Sequence, residues 1–418
     1  MVSQVKEMLA RFSDAARFLL MDLITIPSLP GNETIAQDLF FNALTKIDGP
    51  IDILRIPVDK EVEADKDYGK PYGSSILHHS PNVVVQWTGI GPHESPSLIL
   101  QSHMDVVPAG RWSDAFSPRF DGHNVWGRGA CDAKGQLVTL WLVLNTLAHL
   151  RTPLKGNLMI KSVVEEEIGG NGTLDLIKKG YHADAAIVLE PTERGVYPSH
   201  RGCITFQYTL TGEPVHMGRQ DAGISAVEQA IELIDLLDAY KQDLLKLACV
   251  HPLYMNTVNP VQLNIGVIHA GNWPGTLAES ATVAGDLGFP PNITIDQVKQ
   301  DLQTRIFDRA SPKLKNRYDV SFIGLHNDAY ETSPTHPFIQ TIVNAPAGIR
   351  VETPARGLNV SCDARLYAKR LHIPTAIFGA GSLAVAHSDK EHIQWDEILQ
   401  AAEALVHIVL QWCNGSSR

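Results

Sequence analysis

Five short segments carry imidazole or carboxylate groups at the ends of apolar runs, where they could hold a metal ion. In Leu98-Ile-Leu-Gln-Ser-His103-Met-Asp105-Val-Val-Pro108, a buried-type strand runs straight into His-x-Asp. His103 can there bind an ion through one ring nitrogen while Asp105 orients the other. Trp126-Gly-Arg-Gly129-Ala-Cys-Asp132-Ala-Lys-Gly135 sets Asp132 at a Gly-flanked junction before a helical run, where it can cap the helix or ligate. Val164-Glu165-Glu166-Glu167-Ile-Gly-Gly170 stacks three carboxylates that repel one another. They read either as a solvated charge run or as a site where a cation relieves the repulsion. Glu190 ends another apolar run, and His387 lies in the Gly-rich stretch 379–391.

Singly, each segment has an ordinary structural explanation. The elements that carry them decide the matter. Runs at 82–87, 97–101, 157–164 and 185–189 are apolar on both faces, as strands covered by helices must be. Loops follow them directly, and such α/β sheets gather their chemistry at the carboxyl ends of the strands. His103, Asp132, Glu167, Glu190 and His387 are thus predicted at one edge of one sheet. Imidazole and carboxylate without thiolate suit zinc, cobalt or manganese. Five ligands are too many for one tetrahedral ion, whereas two ions sharing a bridging carboxylate use them all.

From about Gly202 the pattern changes. An alternating strand at 203–211, a long helix at 225–247, strands at 261–268 and 282–287, a helix at 294–307 and a strand at 319–324 predict a compact antiparallel α+β unit. The first texture then returns with a helix at 336–347, a strand at 373–378 and a helix at 395–412. We read one α/β domain, residues 1–200 and 327–418, interrupted by a smaller domain, 201–326. The 418 residues allow two or three domains. A net charge of −11 without basic runs gives no footprint for nucleic acid or an anionic membrane. Mean hydropathy is −0.06 and no apolar run approaches the ~18 residues that span a bilayer. Five scattered cysteines, none in C-x-x-C, argue for a reducing cytoplasm over a disulfide framework or thiolate site.

In this order the segments resemble the M20 metallopeptidase family, the acetylornithine deacetylase, succinyl-diaminopimelate desuccinylase and aminoacylase group. The likeness runs nearly end to end, from Leu20-Met-Asp-Leu-Ile-Thr-Ile-Pro-Ser28 through Glu391. It implies a zinc-exopeptidase-like mixed sheet flanked by helices, with the inserted domain serving as lid and dimerisation unit of a homodimer. It implies that Asp132 bridges two divalent ions, zinc before cobalt or manganese. His103 and Glu190 would complete one ion and Glu167 with His387 the other. Asp105 would stand behind His103, and Glu166 would act as general base on a metal-activated water. The family commonly has Asp where this chain has Glu165, a departure that bears on the register of the glutamate run.

Gly212-Glu-Pro-Val-His216-Met-Gly resembles the lid segment whose His hydrogen-bonds the reacting carbonyl, often from the partner subunit. His269-Ala-Gly-Asn272-Trp-Pro274 and Asp286-Leu-Gly288 resemble the acetylornithine-deacetylase-like branch, which implies that Asn272 touches substrate. Many relatives carry, where Gly288 stands, an Arg that grips a substrate carboxylate. Arg365 is a substitute anion clamp or the salt-bridge partner of Asp363, and Gly379 and Gly381 would shape the pocket. The implied activity is hydrolysis of a non-peptide amide bond in a small N-acylated amino acid or amine. A dipeptidase (a metallopeptidase proper) or desuccinylase and a deformylase of a heterocyclic amine are the alternatives. A non-catalytic metal-binding protein would have lost the base or a ligand, and all are present.

Overall fold

The computed structural model of the chain describes residues 2–70, 79–92, 94–345 and 356–415. A six-stranded mixed sheet runs in the spatial order Ile51–Ile56, Asn82–Trp87, Leu158–Val163, Leu98–His103, Ala185–Val188, Thr375–Ile377. The first three pair antiparallel with one another, and the last four, counted from Leu158–Val163, run parallel. The residues after these four parallel strands therefore emerge at a single edge, which is what the motif placement requires.

Strand geometry sorts the apolar side chains with a period of two. Leu98, Leu100, Ala185 and Ile187 join one core cluster, while Ile99, Ala186 and Val188 join another on the opposite face. Five helices contribute to the first cluster, Val2–Ile24, Thr34–Leu44, Lys134–Leu150, Pro337–Val343 and Trp395–Cys413. Lys134–Leu150 starts directly after Asp132, and every residue from Lys134 to Ala148 is buried. The Lys134 ammonium is fully inside and donates to the carbonyls of Leu23 at 2.8 Å and Ile26 at 2.7 Å. It thereby satisfies acceptors that the end of the first helix leaves open, and clamps that end to the start of the buried helix.

A second sheet, all antiparallel, has the order Leu263–Ala270, Ser280–Phe289, Gly202–Thr211, Tyr318–Asn327. Helices Ala226–Val250 and Ile295–Arg309 cover it, and it has a core of its own with Phe206, Tyr208, Leu210, Leu233 and Leu302. Both helices start at residues whose hydroxyls accept a backbone N–H of the first turn: Ser225 from Glu228 and Thr294 from Gln297. The order of elements is the one the sequence pattern predicts.

Three pieces differ from the sequence expectation. Ile51–Ile56 is an edge strand whose charged residues, Asp52 and Arg55, hide its alternation. Arg119–Phe120, Asn124–Trp126 and His392–Gln394 form a small sheet whose strands are too short to show periodicity. The helix expected at 336–347 is Pro337–Val343, with residues 346 and 347 outside the described residues.

Leu140 is fully buried in the first core cluster. Leu140→Ala is expected to destabilise the protein by about 2–5 kcal/mol, read from urea unfolding followed by tryptophan fluorescence.

Candidate metal centre

His103 is the last residue of its strand, so its ring stands at the sheet edge. Its Nδ1 donates to the Asp105 backbone carbonyl at 2.9 Å, which leaves Nε2 facing the Asp132 Oδ1 at 3.0 Å and the Glu190 Oε2 at 3.9 Å. The Asp105 carboxylate lies farther from the ring, 3.6 Å at Oδ1. It accepts instead the backbone N–H groups of Glu166 at 3.1 Å and Glu167 at 2.9 Å. Asp105 thus holds the two glutamates while its main chain orients the histidine.

Asp132 faces both ways. Oδ1 meets His103, and Oδ2 lies 3.2 Å from the Nε2 of His387, which is also 3.1 Å from the Glu167 Oε1. Two ligand-type triads result, His103–Asp132–Glu190 and Asp132–Glu167–His387, each with its donor atoms within 4.8 Å of one another. Asp132 does not cap the following helix, whose cap position is Ala133. Its side chain is taken up by the two imidazoles.

The loop that presents Asp132 is held by a residue that sequence reading missed. Glu391 accepts the backbone N–H groups of Gly129 at 2.9 Å, Cys131 at 3.1 Å and Asp132 at 3.1 Å through one oxygen, and pairs with Arg128 through the other. Gly129 has φ +83°, and a Cβ there would stand 2.7 Å from Val106, so this tight loop needs glycine. The only signal of Glu391 in the sequence is its place four residues after His387.

Glu165 settles the geometry of the glutamate run. It has φ +62°, and its carboxylate turns away from the triads to His79 Nδ1 at 2.6 Å and Asn171 Nδ2 at 2.8 Å. Glu166 and Glu167 line a cavity of about 300 Å³ that also touches His387, Arg201, Asp286 and Gly288.

The electrostatics fit a missing positive charge. Burial, then the charge of Glu190, pushes the Glu166 carboxyl well above its ordinary range. Burial also raises Glu190 strongly, against the pull of His103 and with the push of Asp132, and Glu190 Oε1 is buried without a hydrogen-bond partner. Hydrogen bonds to Asp132 and Glu167 lift His387 to about 10. Burial opposes ionisation of Asp132, yet both histidines hold it low. The donor set is imidazole nitrogen and carboxylate oxygen with no thiolate, which suits borderline to hard divalent ions. Orphaned buried oxygen and crowded carboxylates are what such ions would satisfy.

The remaining predicted residues lie elsewhere. His216 is exposed on the second-sheet unit, where its Nδ1 accepts the Gly218 N–H at 3.1 Å. Among the described residues no hydrogen bond links it to the triads. Asn272 is exposed at the turn between Leu263–Ala270 and Ser280–Phe289. Arg365 is buried and donates to the Gly169 carbonyl at 2.8 Å, outside the cavity lining. Asp363 accepts from Gln101 and Thr173, so no direct Arg365–Asp363 ion pair forms among the described residues. Gly379 and Gly381 are packed inside their loop, against the Glu190 carbonyl and Gln136, and against Cys131, respectively.

Two candidate ligand triads sharing one carboxylate lie at the carboxyl edge of a mixed α/β sheet, an arrangement that suits a metal-dependent hydrolase. The chain belongs to Peptidase family M20/M25/M40, whose profile matches residues 99–411. It is similar to N-formyl-4-amino-5-aminomethyl-2-methylpyrimidine deformylase of Bacillus subtilis, 26% identical over 80% of this chain and 83% of the relative. It is also similar to a probable succinyl-diaminopimelate desuccinylase of Staphylococcus aureus, 26% identical over 86% of this chain and 95% of the relative. Of solved structures, the di-peptidase Dug1p of Saccharomyces cerevisiae shares the fold with a TM-score of 0.74 at 14% identity, covering 99% of each chain. A Bacillus subtilis peptidase described as dinuclear metal binding does so with a TM-score of 0.66 at 14% identity, covering 96% of this chain and 98% of that one. Among the described residues no helix is long and apolar enough to cross a membrane.

The Arg128–Glu391 pair is buried on both sides. Glu391→Leu is expected to destabilise by about 3–5 kcal/mol, because it strands a buried guanidinium. Adding Arg128→Met should recover part of that loss in urea unfolding.

Proposed function

We propose that this hydrolase cleaves the amide bond of a small N-acylated amino acid or amine, using two divalent ions, zinc by preference. The observation that carries the reading is Asp132, whose two carboxylate oxygens each face a different imidazole. His103, Asp132 and Glu190 would hold one ion, and Asp132, Glu167 and His387 the other. When bound, such ions supply a water acidified towards a pKa of ~7 and polarisation of an acyl oxygen.

The chain's own residues do the rest. Glu166 opens on the same cavity as Glu167 and His387, so it can take a proton from the attacking water and return it to the leaving amine. General acid–base work of this kind contributes ~10²–10⁴ in rate. Asp105 fixes the backbone of Glu166 and Glu167 and so keeps base and ligand in register. We further propose that residues 201–326 act as a lid and dimerisation unit. Among the described residues no strand pairs with the outer side of the edge strand Leu263–Ala270, and such edges seek a partner. His216 then reaches the oxyanion by closure of that unit or, in a dimer, as His216 of the partner subunit. Closure would also exclude water around the substrate.

A second reading has support from similarity. Two of the relatives, 26% and 25% identical, are named as deformylases of an aminomethylpyrimidine. Removal of a formyl group from a heterocyclic amine would use the same centre. A panel of N-acetyl, N-formyl, N-succinyl and dipeptide substrates with added Zn²⁺ or Co²⁺ separates the two.

Chelation should abolish activity, and about two divalent ions per chain should restore it; trace metal in active protein would contradict this. Glu166→Gln is expected to lower kcat by at least ~10² with both ions retained, whereas Glu167→Ala should lose metal. Exchanged phenotypes would overturn the role assignment. His216→Ala should lower kcat without changing metal content. If it acts in trans, mixing it with Glu166→Ala should restore activity in hybrid dimers.

A further inference from the structure

His387 is the candidate ligand least fixed by its own strand. His103 ends one strand and Glu190 follows another by two residues, whereas His387 comes ten residues after Thr375–Ile377 ends. Its ring is half exposed and its φ is +58°. Asp132 and Glu167 also stand on loops, but Glu391 and Asp105 hold their backbone. The loop of His387 needs an anchor of its own, because a metal site works only if its ligands are held in place by the groups behind them.

That anchor is at the start of the loop, where two side chains from the other ligand loops grip consecutive residues. From the turn after Glu190, the buried Thr192 hydroxyl donates to the Gly379 carbonyl at 3.2 Å and accepts the Gly379 N–H at 2.9 Å. From the first turn of Lys134–Leu150, four residues after Asp132, comes the fully buried amide of Gln136. Its Nε2 donates to the carbonyls of Ala380 at 2.6 Å and Cys131 at 3.3 Å, and its Oε1 accepts the Ala380 N–H at 3.1 Å. Glycine is needed on both sides of Ala380. A Cβ at 379 would run into the Glu190 carbonyl and the Gln136 amide, and one at 381 into the Cys131 sulfur. The three loops that carry Asp132, Glu190 and His387 therefore meet at Gly379–Gly381, tied by two uncharged side chains that belong to neither triad.

We propose that Gln136 and Thr192 are positioning residues of the metal centre. They splice the loop of His387 to the loops of Asp132 and Glu190, and so set the affinity of the ion that Glu167 and His387 would hold. The ion beside His103 and Glu190 depends on them less, because those ligands sit at strand ends. The proposal rests on the two-ion reading and adds to it what keeps the His387 side in shape.

The test withdraws Zn²⁺ from the zinc-loaded full-length protein with a chelator of known affinity, which gives the binding constant of each ion. His387→Ala marks the ion on its own side as the one it weakens more. Thr192→Val keeps shape but loses the hydroxyl, and Gln136→Met keeps length but loses the amide. Each should weaken the marked ion by about 10–100-fold, the usual worth of groups that orient ligands from behind, and the other ion by less than about threefold. Thr192→Ser, which keeps the hydroxyl, should stay within about threefold of wild type for both ions. Hydrogen–deuterium exchange on the same proteins gives a readout that needs no metal. Amides of residues 379–391 should exchange several-fold faster in Thr192→Val and Gln136→Met, with Leu98–His103 and Ala185–Val188 unchanged. Equal weakening of both ions, as a general loosening of the fold would give, overturns the proposal, and so do unchanged affinities. If Gln136→Met does not fold, Thr192→Val and Thr192→Ser carry the test. Should wild type hold fewer than two ions, the two-ion reading itself fails, and exchange alone decides the splice. Faster exchange confined to the loop then supports it, and unchanged or global exchange overturns it.

Discussion

Asp132 offers one carboxylate oxygen to each of two imidazoles, and the surrounding structure keeps that carboxylate ionised and in place. Burial alone would push it towards the neutral acid, and the two histidines reverse that. The negative charge that makes the centre useful also makes it costly, since Glu166, Glu167 and Glu190 crowd the same space. Carboxylates packed so tightly demand positive charge, and the two triads are where it fits.

The fold meets this demand with parallel strand ends and distant anchors. Four strands deliver His103, the glutamate run, Glu190 and the loop of His387 to one edge. Asp132 comes from none of them. It sits on a loop pinned from below by Lys134 at the start of a buried helix and from behind by Glu391. The Asp105 carboxylate in turn accepts the backbone N–H groups of both Glu166 and Glu167, so the two glutamates are held by one anchor.

Much of this could be read from the sequence, because strand-end residues announce themselves by the apolar run before them. The same logic gave the inserted antiparallel sheet, whose alternation and capping residues are local signals. What could not be read depends on pairs far apart in the chain. Glu391 closes the Asp132 loop from about 260 positions away, visible only once the small sheet joins Trp126 to His392. Arg365 looked like a clamp because it lies near a conspicuous Asp, but it is buried against the Gly169 carbonyl. Glycines 379 and 381 carry no side chain to show whether they face a cavity or pack within a loop, and they pack. His216 and Asn272 lie on the exposed surface of the second unit.

The central claim is that one carboxylate bridges two ions. Anomalous diffraction from crystals of the zinc-loaded protein tests it most directly. The account predicts two peaks of comparable height flanking Asp132, each at roughly 2.0–2.2 Å from one of its oxygens, one beside His103 and Glu190 and the other beside Glu167 and His387. A single peak, or a pair of which one lies away from Asp132, would contradict it.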